Sequence, residues 1–140
     1  MTNQGGFGVI VNGGNLDWSG GGIQDGEGWG LVTFNGSADL SAFELTNVED
    51  TGIYVQGSAL ALTDSTIEAA GNLALRVLAA SVAVLENTAF TGNTYTYESE
   101  STSGSTYVYY YRGRDINVAD ADLTVSRCTF ENGDKGIYAT

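Results

Sequence analysis

A repeat of about 22 residues constrains what this chain can fold into more than any other feature. Ile23, Leu45, Ile67 and Phe90 follow one another at intervals of 22, 22 and 23, and Phe130 resumes the series after an insertion. Apolar or small residues recur seven, five and two positions before each of them. These are Leu16, Ala38, Leu60, Ala83 and Leu123; then Trp18, Leu40, Leu62, Leu85 and Val125; then Gly21, Phe43, Ser65, Thr88 and Cys128. An upstream series runs Val9, Leu31, Ile53, Leu75, Ile116 and Ile137, with Val11, Thr33, Val55, Val77 and Val118 two residues further on. A spacing of two is strand spacing, so each unit holds short strands that turn one face inward. A fixed period of this length marks a solenoid.

The unit is too short for a pair of helices, and 20 glycines, with runs at Gly5-Gly6, Gly13-Gly14 and Gly20-Gly21-Gly22, disfavour helix altogether. Three short strands joined by bends fill it. Small or polar bend residues stand at Asn12 to Gly14, Asn35 to Ser37, Gly57-Ser58 and Ala119 to Ala121. Stacked at the strand spacing of about 4.8 Å, five units and the start of a sixth predict a rod roughly 25 Å long.

Segments such as Gly52-Ile53-Tyr54-Val55, Leu60-Ala61-Leu62-Thr63-Asp64-Ser65-Thr66-Ile67 and Leu123-Thr124-Val125-Ser126-Arg127-Cys128-Thr129-Phe130-Glu131-Asn132-Gly133 carry a family resemblance. In them the chain resembles the right-handed parallel β-helix repeats of the pectate-lyase-like superfold. The likeness covers nearly everything outside an insertion at 94–112. It implies an all-β, right-handed parallel β-helix of about five 22-residue coils, one domain over residues 1–140. The right hand comes from the resemblance, since the spacing alone also allows a left-handed solenoid. The superfold carries lyases, hydrolases, adhesins, phage spikes and inert spacers, so no single function follows from it.

With 42% hydrophobic residues the chain can bury a continuous core along the coil axis. It has no run long enough to span a membrane, and Met1 to Gly6 lacks the basic and apolar stretches of a secretory signal. Cys128, the one cysteine, excludes an internal disulfide and falls in an inward column, which predicts a buried thiol. A net charge of −12 argues against nucleic acid and anionic membrane as partners, and suits solubility or the binding of cations.

Chemistry is sparse. There is no histidine, which excludes Ser-His, Cys-His and histidine-ligated metal sites, and the cations are Arg76, Arg112, Arg114, Arg127 and Lys135. The resemblance implies lyases that use a basic residue with acid-bound calcium, and no cluster here matches those motifs. Hydrolases pair carboxylates, for which Asp120 and Asp122 close to Asp115 are the nearest candidates. Acids at a bend are ordinary, so the expectation is a non-enzyme with no catalytic residues. Asp17 and Asp39 share a repeat position, where stacking brings like charges together. Splaying into water or sharing a calcium ion relieves that cost, and calcium is the only cofactor considered.

The insertion holds Tyr95, Tyr97, Tyr107, Tyr109, Tyr110 and Tyr111 on two arms about a Ser/Gly-rich tip, the pattern of a projecting β-hairpin. Rings with polar tips suit stacking on polysaccharide or docking on protein. Neither end of the repeat carries a capping unit, and the final Gly136-Ile137-Tyr138 repeats Gly52-Ile53-Tyr54. Two explanations fit: a piece of a longer β-helix, or copies stacked head to tail. The reading is a structural or adhesive solenoid, extracellular or at a cell surface, that self-associates through Val9 and Val11 at one end and Ile137 and Tyr138 at the other. A carbohydrate-binding module and a spacer within a larger surface protein are the alternatives. Asn35-Gly36-Ser37 is a short glycan-acceptor pattern at a bend.

Overall fold

Short alternating strands, each broken by a residue that accepts a left-handed backbone, dictate a coil of three strands and three bends. The computed structural model describes residues 3–93, 95–100, 106–111, 114–133 and 135–140. Its order is β1 (Asn3–Asn12), β2 (Asn15–Ser19), β3 (Gly22–Phe34), β4 (Ser37–Ser41), β5 (Glu44–Val48), β6 (Thr51–Gln56), β7 (Ala59–Thr63) and β8 (Thr66–Ala70). Then come β9 (Leu73–Leu78), β10 (Val82–Glu86), β11 (Ala89–Thr91), β12 (Tyr95–Glu100) and β13 (Thr106–Tyr111). The chain finishes with β14 (Arg114–Ala119), β15 (Asp122–Ser126), β16 (Thr129–Glu131) and β17 (Lys135–Ala139), and no described residue is helical.

The solenoid strands pair in parallel on three faces. Face 1 stacks β1, the second half of β3, β6, β9, β14 and β17. Face 2 stacks β2, β4, β7, β10 and β15. Face 3 stacks the first half of β3, β5, β8, β11 and β16. Strand β3 runs through a corner and serves two faces. Five coils close in this way, and β17 begins a sixth over β14.

The repeat columns read from the sequence are the observed ladders: Ile67 lies between Leu45 and Phe90, and Phe90 between Ile67 and Phe130. Ile23, Leu40, Leu45, Leu62, Leu75 and Leu85 are at most 1% exposed, in one core shared by all three faces. Each such side chain contributes roughly 1.5–3 kcal/mol. Cys128 packs against this core but is only half-buried, because its coil is the last closed one; its thiol donates to the Ser126 carbonyl at 3.4 Å.

Each corner is bent by a column of left-handed residues. One column is Gly13, Asn35, Gly57 and Asp120, joined by Ala79 and Ala80; the next is Gly20, Ala42, Asp64, Asn87 and Arg127; the third is Asp25, Asn47, Ala69, Gly92 and Asn132. Their φ values lie between 36° and 72°. Gly, Asn and Asp suit that conformation. Ala42, Ala69 and Arg127 adopt it too, so the stacking above and below imposes the bend. Buried hydroxyls satisfy backbone groups at two corners. Ser58 Oγ accepts from the Gly36 N–H at 3.2 Å and donates to the Gln56 carbonyl at 2.8 Å, and Ser65 Oγ accepts from Phe43 at 3.0 Å and donates to Thr63 at 2.6 Å.

The insertion forms the expected antiparallel hairpin between coils four and five, with Tyr95 opposite Tyr111, Tyr97 opposite Tyr109, Ser99 opposite Tyr107 and Thr96 opposite Tyr110. Alternation along a strand therefore puts Tyr95, Tyr97, Tyr107, Tyr109 and Tyr111 at positions of one face and Tyr110 at the other. Residues 101–105 at the tip lie outside the described set.

Candidate functional site

The outer sides of the faces differ. Along β7 on face 2, outward Ala59, Ala61 and Thr63 are more exposed than the inward Leu60 and Leu62. Along β6 on face 1, burial is continuous from Thr51 to Val55. Part of the cover there is an aromatic group. Trp29 stacks on Tyr54 with centroids 4.8 Å apart and planes 20° from parallel, Phe7 meets Trp29 edge-on at 5.4 Å, and Phe34 lies 5.8 Å from Tyr54. The Trp29 indole donates to Asp50 Oδ2 at 2.8 Å, and Asp50 Oδ1 accepts from Asn72 at 3.0 Å, which fixes the ring. The Arg76 guanidinium sits 5.8 Å from the Tyr54 centroid, and its buried Nε has no hydrogen-bond partner. Sequence reasoning missed this group; the signal available was Phe7 and Trp29 standing one period apart.

Charge is divided between the same faces. The strands of face 1 carry Arg76, Arg114 and Lys135, with Asp115 their sole acid. Those of face 2 carry Asp17, Asp39, Glu86 and Asp122 and no cation, and those of face 3 carry only acids, among them Glu44, Glu68 and Glu131. Arg127, at the corner between faces 2 and 3, is paired with Glu86.

The corner that receives the hairpin is built around two buried polar side chains. Asn93, 0% exposed, accepts from the Ala70 N–H through Oδ1 at 3.0 Å and donates through Nδ2 to Asp115 Oδ1 at 2.7 Å. Burial pushes the Asp115 carboxyl above its usual range, and the amide hydrogen bond from Asn93 works against that rise. Gly133 fits beside it because an added Cβ there would stand 2.7 Å from Asp115 Oδ2. Asp115 is not brought together with Asp120 and Asp122, the nearest candidates for a carboxylate pair. Asp115 lies inside, next to the hairpin, while Asp120, exposed just past the far end of β14, stands about 16 Å away along an extended strand, and Asp122, also exposed, opens β15 beyond the corner.

The other predicted residues fall as follows. Asp17 and Asp39 are exposed and directly in register on face 2, and the column continues as Ala61 and Val84, which offer no ligand atoms. Among the described residues no group of three or more acidic or cysteine side chains is placed to hold a metal ion. A surface hollow lined by Asp25, Gly26, Glu27, Asn47 and Glu49 is open, and Asn47 donates to Asp25 within it at 2.6 Å. At the ends, Val11 is 8% and Ile137 48% exposed, with Val9 half-buried and Tyr138 exposed. The ring positions of the six hairpin tyrosines lie outside the described side chains. Asn35 is exposed at its corner. No described helix is long and apolar enough to cross a membrane.

Neither a curated protein nor a solved structure matches the chain significantly. The sequence model of the family described as the right-handed β-helix region matches residues 8–140. That match spans every solenoid strand but the first residues of β1, and the parallel three-faced coil is the architecture it describes. The chain belongs to the right-handed β-helix family.

Proposed function

We propose that the chain is a non-catalytic structural or adhesive solenoid that associates end to end with copies of itself, outside the cell or at its surface. The observation that carries this reading is the exposure of interior-column residues in the outermost coils. Ile137 is 48% exposed, whereas Ile116, one coil inward in the same column, is 0% exposed. Phe130 is half-buried where its stacking partner Phe90 is fully buried. Val9, Leu16 and Trp18 are half-buried at the other end. A second copy laid on these surfaces removes them from water and continues the backbone ladder. β1 and β17 both lie on face 1, so on that face the joint sets Ile137 and Tyr138 against Val9 and Val11.

Negative-stain electron microscopy over a concentration series tests this. Filaments of the native chain that disappear in Val11→Asp and Ile137→Asp support it; full-length filaments in both variants sink it. One observation favours a second reading, carbohydrate binding: five of the six insertion tyrosines hold positions on one face of the hairpin. On that reading Tyr109→Ala loses oligosaccharide binding in calorimetry, and Tyr110→Ala, at a position of the other face, keeps it.

A further inference from the structure

The chain holds three Asn-Gly pairs, Asn12-Gly13, Asn35-Gly36 and Asn132-Gly133. In such a pair the glycine nitrogen, unshielded by any side chain, can close on the asparagine side-chain carbonyl carbon and expel its amide. All three asparagines are exposed, so access of water does not separate them. The state of the glycine N–H does. Gly13 donates to the Phe34 carbonyl at 2.8 Å and Gly36 to Ser58 Oγ at 3.2 Å, each a group of the next coil. Among the described residues no acceptor meets the Gly133 N–H.

The difference follows from a polarity of the corners. Their left-handed residues donate N–H toward the C-terminal end of the rod: Gly20 to Ser41 at 2.8 Å, Asn87 to Ser126 at 2.9 Å and Gly92 to Glu131 at 2.9 Å. The column of Gly133 itself runs back through Asn93 to Ala70, and there the Ala70 N–H is held at 3.0 Å by the Asn93 side chain of the coil above. The fifth coil has no such neighbour above β16, which pairs with β11 alone. Corner donors of the first coil are therefore held and those of the fifth are left over. Asn132, at φ 56°, is also stacked from one side only, so the rotation that brings the Gly133 nitrogen onto its side chain meets least resistance there. The glycine has a reason to stay, because an added Cβ would stand 2.7 Å from Asp115 Oδ2.

We propose that Asn132-Gly133 is a site of self-modification. The Gly133 nitrogen bonds to Asn132 Cγ and gives up its proton to water, the Cγ–Nδ2 bond breaks, and ammonia leaves, which closes a succinimide ring. Water then opens the ring at either carbonyl and yields aspartate or isoaspartate at position 132. In sum one water is consumed and one ammonia released, with nothing oxidised or reduced. Either product adds a negative charge to the corner. Isoaspartate also carries the main chain through Cβ, one atom longer, between β16 and β17. Strand β17 is held by β14 alone, with Ile116 opposite Ile137 and Asn117 opposite Tyr138, and the added atom takes it out of that register. The modification stands without the end-to-end reading; its consequence rests on that reading, because it disarms Ile137 and Tyr138 and so limits the working life of that end.

Peptide mapping by mass spectrometry on the dilute native chain, held in neutral buffer over time, reads each amide as it becomes an acid. Freeing one hydrogen-bonded N–H slows closure by about two- to tenfold, and opening an inner corner slows it further. Asn132 is therefore expected to convert about tenfold faster than Asn12 and Asn35, with isoaspartate among its products, whereas in urea the three convert at comparable rates. Conversion of Asn12 or Asn35 that keeps pace with Asn132 in the folded chain overturns the proposal. So does the same ranking in urea, which would trace the preference to local sequence rather than to the fold. Hydrogen exchange reads the consequence: the amides of β17 lose protection in the isoaspartyl chain, and unchanged protection overturns the release of that strand. Modified chain that builds the same filaments as fresh chain removes the effect on the joint. Fresh chain that builds none sinks the end-to-end reading, while the mass map still decides the site.

Discussion

Face 1 and face 2 are built from the same coils with equally buried interior columns, yet their outer sides are unlike. Face 2 is an ordinary amphipathic sheet: Leu60 and Leu62 point inward, and Ala59, Ala61 and Thr63 meet solvent. On face 1 even outward Val32 is 0% exposed, and Tyr54 only 9%, beneath and among Trp29, Phe34 and Arg76. A sheet buried on both sides reads as a near-continuous apolar run, which is what Gly30 to Phe34 and Leu73 to Leu78 show. The interior of a solenoid is thus a property of the repeat. The exterior is chosen face by face, and that is where rods with one core diverge in what they contact.

The comparison breaks first at the core, where the two faces should behave alike. Leu75→Ala on face 1 and Leu62→Ala on face 2 each remove a side chain that is 0% exposed. Both should lose about 2–5 kcal/mol in denaturant unfolding; a large gap between them would mean that the faces do not share one core. A smaller effect separates the faces. Gly52 stands where face 1 begins, and an added Cβ would lie 2.6 Å from the Ala74 carbonyl and 3.2 Å from Leu45 Cδ2. Gly52→Ala therefore costs about 1–3 kcal/mol by overpacking. Ala61→Val, on the outer side of face 2, stays within about 0.5 kcal/mol. Smaller again is the aromatic cover: Trp29→Ala loses about 1–2 kcal/mol of stacking and hydrogen bonding, against a few tenths for Val84→Ala.

The same contrast explains what was legible in the sequence. Inward columns must be apolar in every coil, so Leu16 to Leu123 and Ile23 to Phe130 announce themselves by period alone. The corner of Gly13, Asn35, Gly57 and Asp120 was visible for a local reason, the Gly and Asn that a left-handed bend prefers. The corner of Asp25, Asn47, Ala69, Gly92 and Asn132 went unread although Asp25, Asn47, Gly92 and Asn132 carry the same local signal, with Ala69 alone bent by the constraint of its neighbours. Trp29 and Tyr54 are not a repeat apart and meet through side chains that lean across columns, which no spacing rule reports. Asp115 was grouped with Asp120 on closeness in sequence, but an extended strand carries residues apart, and the corner turns Asp115 inward onto Asn93. Asn93 itself sits just ahead of a tyrosine-rich segment whose composition draws the eye away from it.

That buried pair gives the most delicate test, since it lies where face 1 receives the hairpin. A carboxyl whose pKa is raised on folding binds its proton more tightly in the native state than in the unfolded chain. Its favourable contribution is complete below the ordinary carboxylate range and is lost as pH rises through the higher native value. Asp115→Asn removes the titration while leaving a polar group of the same shape for Asn93. Stability of the native chain should therefore fall relative to that of Asp115→Asn as pH rises across this window, and run parallel to it on either side. The two curves, measured by urea unfolding at closely spaced pH, subtract out the exposed carboxylates common to both chains. A difference curve that rises with pH would mean that the amide hydrogen bond from Asn93 outweighs burial and holds Asp115 as the anion. Face 1 would then enclose a charge at its hairpin corner.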